Sequence, residues 1–167
     1  MTAAELPDDA QLPDEAPAPR WLEADEQATW RDYLDVMRRL MERLNRQLVD
    51  EAGMSLAEYE VLVQLSESTQ RRLRMSELAD LVVNSRSRLT HTVGRLEERG
   101  FVIREECRDD RRGILCVLQE EGFAALVEAA PGHVEAVRRA VFDPLDGGDV
   151  TALGVAMRKV RATLRDT

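Results

Sequence analysis

Aromatic residues make up only 4% of this 167-residue chain, and it has just two cysteines, Cys107 and Cys116. With so few rings, and with Leu, Val and Ala supplying most apolar bulk, the composition favours helix over sheet. Two thiols are too few for a disulfide framework. No apolar run reaches the roughly 18 residues of a membrane span, and the first residues lack the basic and apolar regions of an export signal. The expectation is a cytoplasmic protein with no membrane contact, long enough for one well-buried core. Chemistry is lacking too. No Ser-His-Asp arrangement, phosphate-cradling glycine loop or carboxylate dyad stands out, so no catalytic residue and no enzyme activity is assigned. His91 and His133 lie far apart without clustered cysteines or paired carboxylates, so neither a metal site nor a cofactor is expected.

What is present is charge, unevenly placed. The net charge is −9, which looks wrong for a nucleic-acid binder. Residues 1–28 hold one basic and eight acidic side chains, a net of −7. Residues 71–112 hold eleven arginines against eight acids, a net of +3. A phosphate backbone meets the local field rather than the total, so the positive stretch is where a nucleic acid would be sought.

Residues 1–20 contain four of the six prolines and few large apolar groups. Such a segment buries too little to offset its ordering entropy, and residues 1–28 are read as an acidic, Pro-rich disordered tail. From about Ala28, Trp30, Leu34, Met37, Leu40, Met41, Leu44 and Leu48 recur at helical steps, and Gly53 stops the helix. Ser55-Leu-Ala-Glu58 has capping-box spacing and opens a second helix. Ser76 is read as the N-cap of a short third helix, Glu77 to Val83. Asn84-Ser85 turns into a fourth, which ends at Gly100. Phe101-Val102-Ile103 and Ile114 to Leu118 pair as strands across a turn from Arg108 to Gly113. Helix returns from Glu120 to about Leu145, with a kink or break at Pro131, and Asp149 caps a last helix through Leu164.

The fourth helix carries the functional signal. With Leu89, Val93 and Leu96 turned inward, its polar residues Ser85, Arg86, Ser87, Arg88, Thr90, His91, Thr92 and Arg95 are expected to face outward. A merely solvated face would be rich in Glu/Lys pairs, whereas residues 85–96 hold no acid. Arginine can bond guanine bidentately, and hydroxyls can bond bases or phosphates. A helix-turn-helix uses its second helix in this way in the major groove of double-stranded DNA. The following hairpin, with Arg108, Asp110, Arg111 and Arg112 at its tip, reads as a wing reaching the adjacent minor groove. There Asp110 can hold a neighbouring guanidinium. The fold class is therefore mainly α with a minor β component: a winged helix-turn-helix over 55–119 and a terminal-helix dimerisation domain.

Met75-Ser-Glu-Leu-Ala79 and Leu96-Glu-Glu-Arg-Gly-Phe-Val-Ile-Arg104 resemble the MarR-type bacterial regulators. So do the wing residues Asp110-Arg111-Arg112, Leu118-Gln119 and Gly122, with glutamine at 119 where the family usually has a helix-capping threonine. Ala130-Pro-Gly-His133 and the helices at 29–52, 120–165 and 149–165 resemble the family's dimerisation elements. The resemblance, over 29–167, implies a homodimer on a pseudo-palindromic operator, with Arg112 as the wing-tip arginine and Asp110 its restraining carboxylate. It also implies repression relieved by a small aromatic or phenolic effector, although no residue here identifies that effector. The rival reading is a dimeric ligand- or protein-binding module of the same fold without DNA binding. Redox sensing by Cys107 and Cys116 is not favoured, because residue 107 would pair with about 113 and leave Cys116 several residues away. Cys116 reads instead as a small buried hydrophobe. His133 reads as a packing or capping residue, and Trp21 and Trp30 as packing or dimer contacts.

Overall fold

A computed structural model of the chain describes residues 19–82, 86–107 and 113–165, with the side chains of Arg86 and Arg165 outside that description. The described residues divide into two compact units at residues 36 and 37. The element order is α1 (Ala24–Ala52), α2 (Leu56–Glu67), a 3-10 turn (Thr69–Arg71), β1 (Arg72–Arg74), α3 (Met75–Leu81), α4 (Arg86–Glu98), β2 (Val102–Glu106), β3 (Ile114–Leu118), α5 (Glu120–Val137), a π turn (Arg138–Phe142) and α6 (Gly147–Arg165).

In the first unit, α1 begins at Ala24, inside the stretch read as tail. Glu26 accepts the Glu23 amide at 2.9 Å and the Gln27 side chain donates to the Leu22 carbonyl at 2.9 Å. The first bond is that of a capping box at the helix start, the second ties the preceding residue to the first turn, and Asp25 and Glu26 sit favourably at the positive end of the helix dipole. Trp30 stacks on Tyr33 with ring centroids 5.7 Å apart.

In the second unit the core gathers around α2. Leu62, Leu65, Leu78, Val93, Leu96, Val102 and Cys116 are fully buried, joined by Leu48 from α1 and Leu126 and Ala129 from α5. Gly53 ends α1 with a left-handed φ of 61°. The expected capping box then starts α2: Ser55 receives the Glu58 amide while Glu58 receives the Ser55 amide at 2.7 Å. Asn45 of α1 accepts the Leu56 amide at 3.0 Å, tying the two helices at the corner.

The sheet is three-stranded and antiparallel in the order β1-β3-β2. The hairpin has Arg104 opposite Cys116 and Val102 opposite Leu118, while β1 adds Leu73 opposite Cys116. A left-handed pair, Gln70 and Arg71, precedes β1. Arg71 is held there by Glu120 at 3.0 Å and lies 3.8 Å above the Phe123 ring. Gly122 is buried against the segment that leads into β2, where an added Cβ would lie 2.3 Å from the Phe101 carbonyl oxygen.

Three local expectations are corrected. α3 starts one residue before Ser76, with Glu77 receiving the Arg74 amide at 2.9 Å, so residue 74 occupies the cap. α5 runs through Pro131 without a break, and the irregularity falls at the π turn instead. The cap of α6 is Asp146, which accepts the Gly148 and Asp149 amides, while Asp149 answers by accepting the Asp146 amide.

Candidate nucleic-acid interface

The face of α4 is set by what its apolar residues must do. Leu89, Val93 and Leu96 enter the core at 1% exposure or less. Ser87, Arg88, Thr90 and His91 are thereby left exposed. Thr92 corrects the expectation that every polar residue faces out. It is 3% exposed, and its hydroxyl donates to the Arg88 carbonyl at 3.1 Å. A threonine next to the inward Val93 can be buried at low cost because the preceding turn supplies its acceptor. Ser85 lies outside the described residues, and so does the side chain of Arg86.

Arg95 has a partner that its sequence neighbourhood does not reveal. Its Nε donates to Glu58 Oε1 at 3.0 Å, with the Glu58 side chain 8% exposed and that of Arg95 54% exposed. Burial alone would push the Glu58 carboxyl up. The Ser55 amide and hydroxyl, together with Arg95, outweigh that and hold it below the ordinary carboxylate range. On the next turn Arg99 donates to the Gly53 carbonyl at 3.0 Å and rests 4.3 Å from the centre of the Phe101 ring.

The wing is joined to α4 at its base. Arg104 on β2 gives its amide and guanidinium to the two oxygens of Glu97, at 3.0, 2.9 and 2.5 Å. This bonding draws the Glu97 carboxyl down. Two residues of the Leu96–Arg104 motif thus acquire a physical role, fixing the strand to the helix by charge-assisted hydrogen bonds, with the guanidinium on one carboxylate oxygen and the strand amide on the other. The Cys107 amide donates to the Gly113 carbonyl at 2.8 Å, the pairing expected from the sequence. Arg74 donates to the Cys107 sulfur at 3.4 Å. A cavity of about 310 Å³ lies beside this base, lined by residues of α3, α4 and β3 that include Ser76, Thr90 and Ile114. The tip residues Arg108, Asp110, Arg111 and Arg112 lie outside the described residues.

Both cysteines are buried and unpaired. Burial, with Glu97 nearby, pushes the Cys116 thiol up to about 12, so it stays protonated and behaves as a small apolar side chain. His133 packs its ring against Tyr59 at 4.5 Å, as a packing residue. Burial pushes its pKa down. Its Nδ1 and the Gln47 Oε1 are buried without a hydrogen-bond partner among the described residues. Two cavities of about 430 and 420 Å³ adjoin Gln47, Glu51 and Gly132, between α1 and α5. Sequence reasoning did not single out Glu58 beyond its capping role, nor Gln47 or Arg99. Capping spacing marked Glu58, but its second partner is 37 residues away.

The comparisons with known proteins agree with this geometry. A family model described as "MarR family" matches residues 52–113, from the end of α1 to the wing. The chain is similar to Sco3205, a MarR family transcriptional regulator from Streptomyces coelicolor whose crystal structure is in complex with DNA. The two share 49% identity at a TM-score of 0.82, covering 87% of this chain and 92% of that one. It is also similar to AbsC, another MarR family regulator from Streptomyces coelicolor, at 42% identity and a TM-score of 0.81, covering 89% and 100%. A shorter match, 32% identical over 81 residues, is to the transcriptional repressor YetL of Bacillus subtilis and spans 48% of each chain, about half of that relative's length. Among the described residues no helix is long and apolar enough to cross a membrane. With the lobe, the wing base and these likenesses together, the chain belongs to the MarR family of transcriptional regulators.

Proposed function

We propose that this regulator is a repressor that binds a pseudo-palindromic operator as a homodimer and releases it when a small aromatic or phenolic effector binds. The outward face of α4 carries the proposal. Ser87, Arg88, Thr90 and His91 stand exposed on a helix whose opposite side is anchored in the core. Arg86 and Ser85 precede them at the end that meets base edges in this motif. Arg108, Arg111 and Arg112, with Asp110 as restraint, are assigned to the minor groove, and Arg95 to the rear of the interface.

Dimerisation is supported by apolar surface that is left uncovered among the described residues. Val150, Leu153, Met157, Val160 and Leu164 form one stripe of α6 at helical spacing, each more than a third exposed. In the first unit Trp30 and Leu34 are exposed on one side of α1. Stripes of this kind mark association surfaces. The cavities beside Gln47 and Gly132, with unpartnered polar atoms close by, support the effector part. A ligand that favours a lobe spacing unable to match successive major grooves lowers DNA affinity.

Gel-shift titration on an operator selected from random duplexes tests this reading. Arg88→Ala should cost about 1–3 kcal/mol and relax specificity at one position. Arg112→Ala should weaken binding at the wing. Wild-type binding by both variants would overturn the assignment.

A further inference from the structure

We infer that Glu58 is a positioning residue which, through Arg95 and together with the Arg99–Gly53 contact, locks the recognition helix α4 at a fixed angle to the end of α1. On this account the lock sets the half-site spacing that the protein accepts. The inference rests on the homodimer reading above, because only two linked lobes can have a spacing.

The corner between α1 and α2 is held from three directions. Asn45 on α1 receives the Leu56 amide at 3.0 Å. Glu58 binds the Ser55 amide and hydroxyl, both at 2.7 Å, and so fixes the first turn of α2. The other oxygen of the same carboxylate receives Arg95 of α4. One turn further along, Arg99 reaches past the corner to the Gly53 carbonyl, the residue that ends α1. Two arginines four residues apart, Arg95 in the last turn of α4 and Arg99 just past its end, thus grip the same corner at two points, and two points restrain an angle where one would leave a pivot. Between them lies an open cavity of about 590 Å³ lined by Val49, Gly53, Ser55, Glu58, Arg95 and Arg99. The buried Met54 lies at the edge of this space, so at the corner the polar bonds add to the apolar packing of α4 in setting its angle. The carboxylate is nearly buried, and an unpaired charge would be costly, so the Arg95 contact is held even though Arg95 itself is half exposed.

This arrangement assigns Arg95 to a restraint, in contrast to Arg88 on the front of the helix. Substitutions separate restraint from contact. Glu58→Gln keeps a residue able to close the capping box but removes the charge that holds Arg95. Arg99→Met removes the second point and retains the stem against Phe101.

The test uses the full chain and three duplexes: the selected operator, the same operator with its half-sites moved by one base pair, and a single half-site. Each variant should lose preference for native over shifted spacing by about 5-fold, and the double variant by more than either, as expected for a coupling of ordinary size. Half-site affinity and the salt dependence of binding should stay at wild-type values, and thermal unfolding should remain cooperative. The inference is overturned if native spacing preference survives in the double variant. It is equally overturned if Arg95→Met lowers the salt slope by about one, the signature of a lost phosphate contact. A wild-type protein that binds the half-site as tightly as the full operator would instead overturn the homodimer reading, and the inference with it.

Discussion

The lobe and α6 use the same residue types in opposite ways. In the lobe Leu62, Leu65 and Leu78 have no exposed surface, and even a threonine and a glutamate of its helices are taken inside. In α6 leucine, valine and methionine stand in water, up to 72% exposed at Leu164. A sequence pattern of apolar steps reports that a face will be covered, but not by what. The lobe satisfies its pattern within one chain, whereas the α6 stripe requires a surface that its own chain leaves unsupplied among the described residues.

Charging the stripe is the strongest way to break that contrast. The pair Leu153→Asp and Val160→Asp should weaken self-association by about 100-fold or more, since each buries an unpaired charge at the proposed interface. Sedimentation equilibrium would show this, while the near-ultraviolet spectrum of the lobe stays native. Unchanged association would place the dimer contact elsewhere. Within the lobe, Gly122→Ala should destabilise by roughly 2 kcal/mol in urea unfolding, because the new methyl must displace the Phe101 carbonyl or its own helix. A cost near zero would mean that the junction of α5 with the wing is loose.

Gly94 offers a smaller change in α4. It lies mid-helix in α4, and a Cβ there would meet nothing within 4 Å. Gly94→Ala should raise stability by about 1 kcal/mol. A fall in operator affinity alongside that gain would locate a close approach of DNA at this turn.

The smallest effect expected is of acid on the α2–α5 contact. Burial lowers the His133 pKa from its ordinary value of 6.5, so the unfolded chain takes up a proton first as pH falls. Its contribution to stability is therefore complete above about 6.5 and is lost as pH drops toward the lowered value. Urea midpoints at pH 7.5 and 5.5 should differ less in His133→Phe than in wild type, and equal differences would remove His133 from the account.

Much of the fold was legible because local chemistry decided it. Ser55 and Glu58 announced α2, Gly53 and Gly100 ended helices, and Cys107 met Gly113 where strand pairing required. Long-range placement was less legible. β1 is three residues, Arg72-Leu73-Arg74, too short for an alternating signal and entered through Gln70 and Arg71 rather than through a glycine. Thr92 was read outward from its polarity, yet its hydroxyl is satisfied by the turn before it. Pro131 was read as a kink or break, and α5 continues through it as one helix. Arg95 was read as a DNA contact from its residue type, while the carboxylate that holds it lies on another helix.

Duplex binding is most plainly read from its salt dependence, because phosphate contacts release counterions and leave a steep slope. The full chain should show measurable affinity for its selected operator at low salt, falling steeply between about 50 and 200 mM and weakened by Arg88→Ala. A chain without duplex affinity even at low salt would contradict the DNA-binding reading.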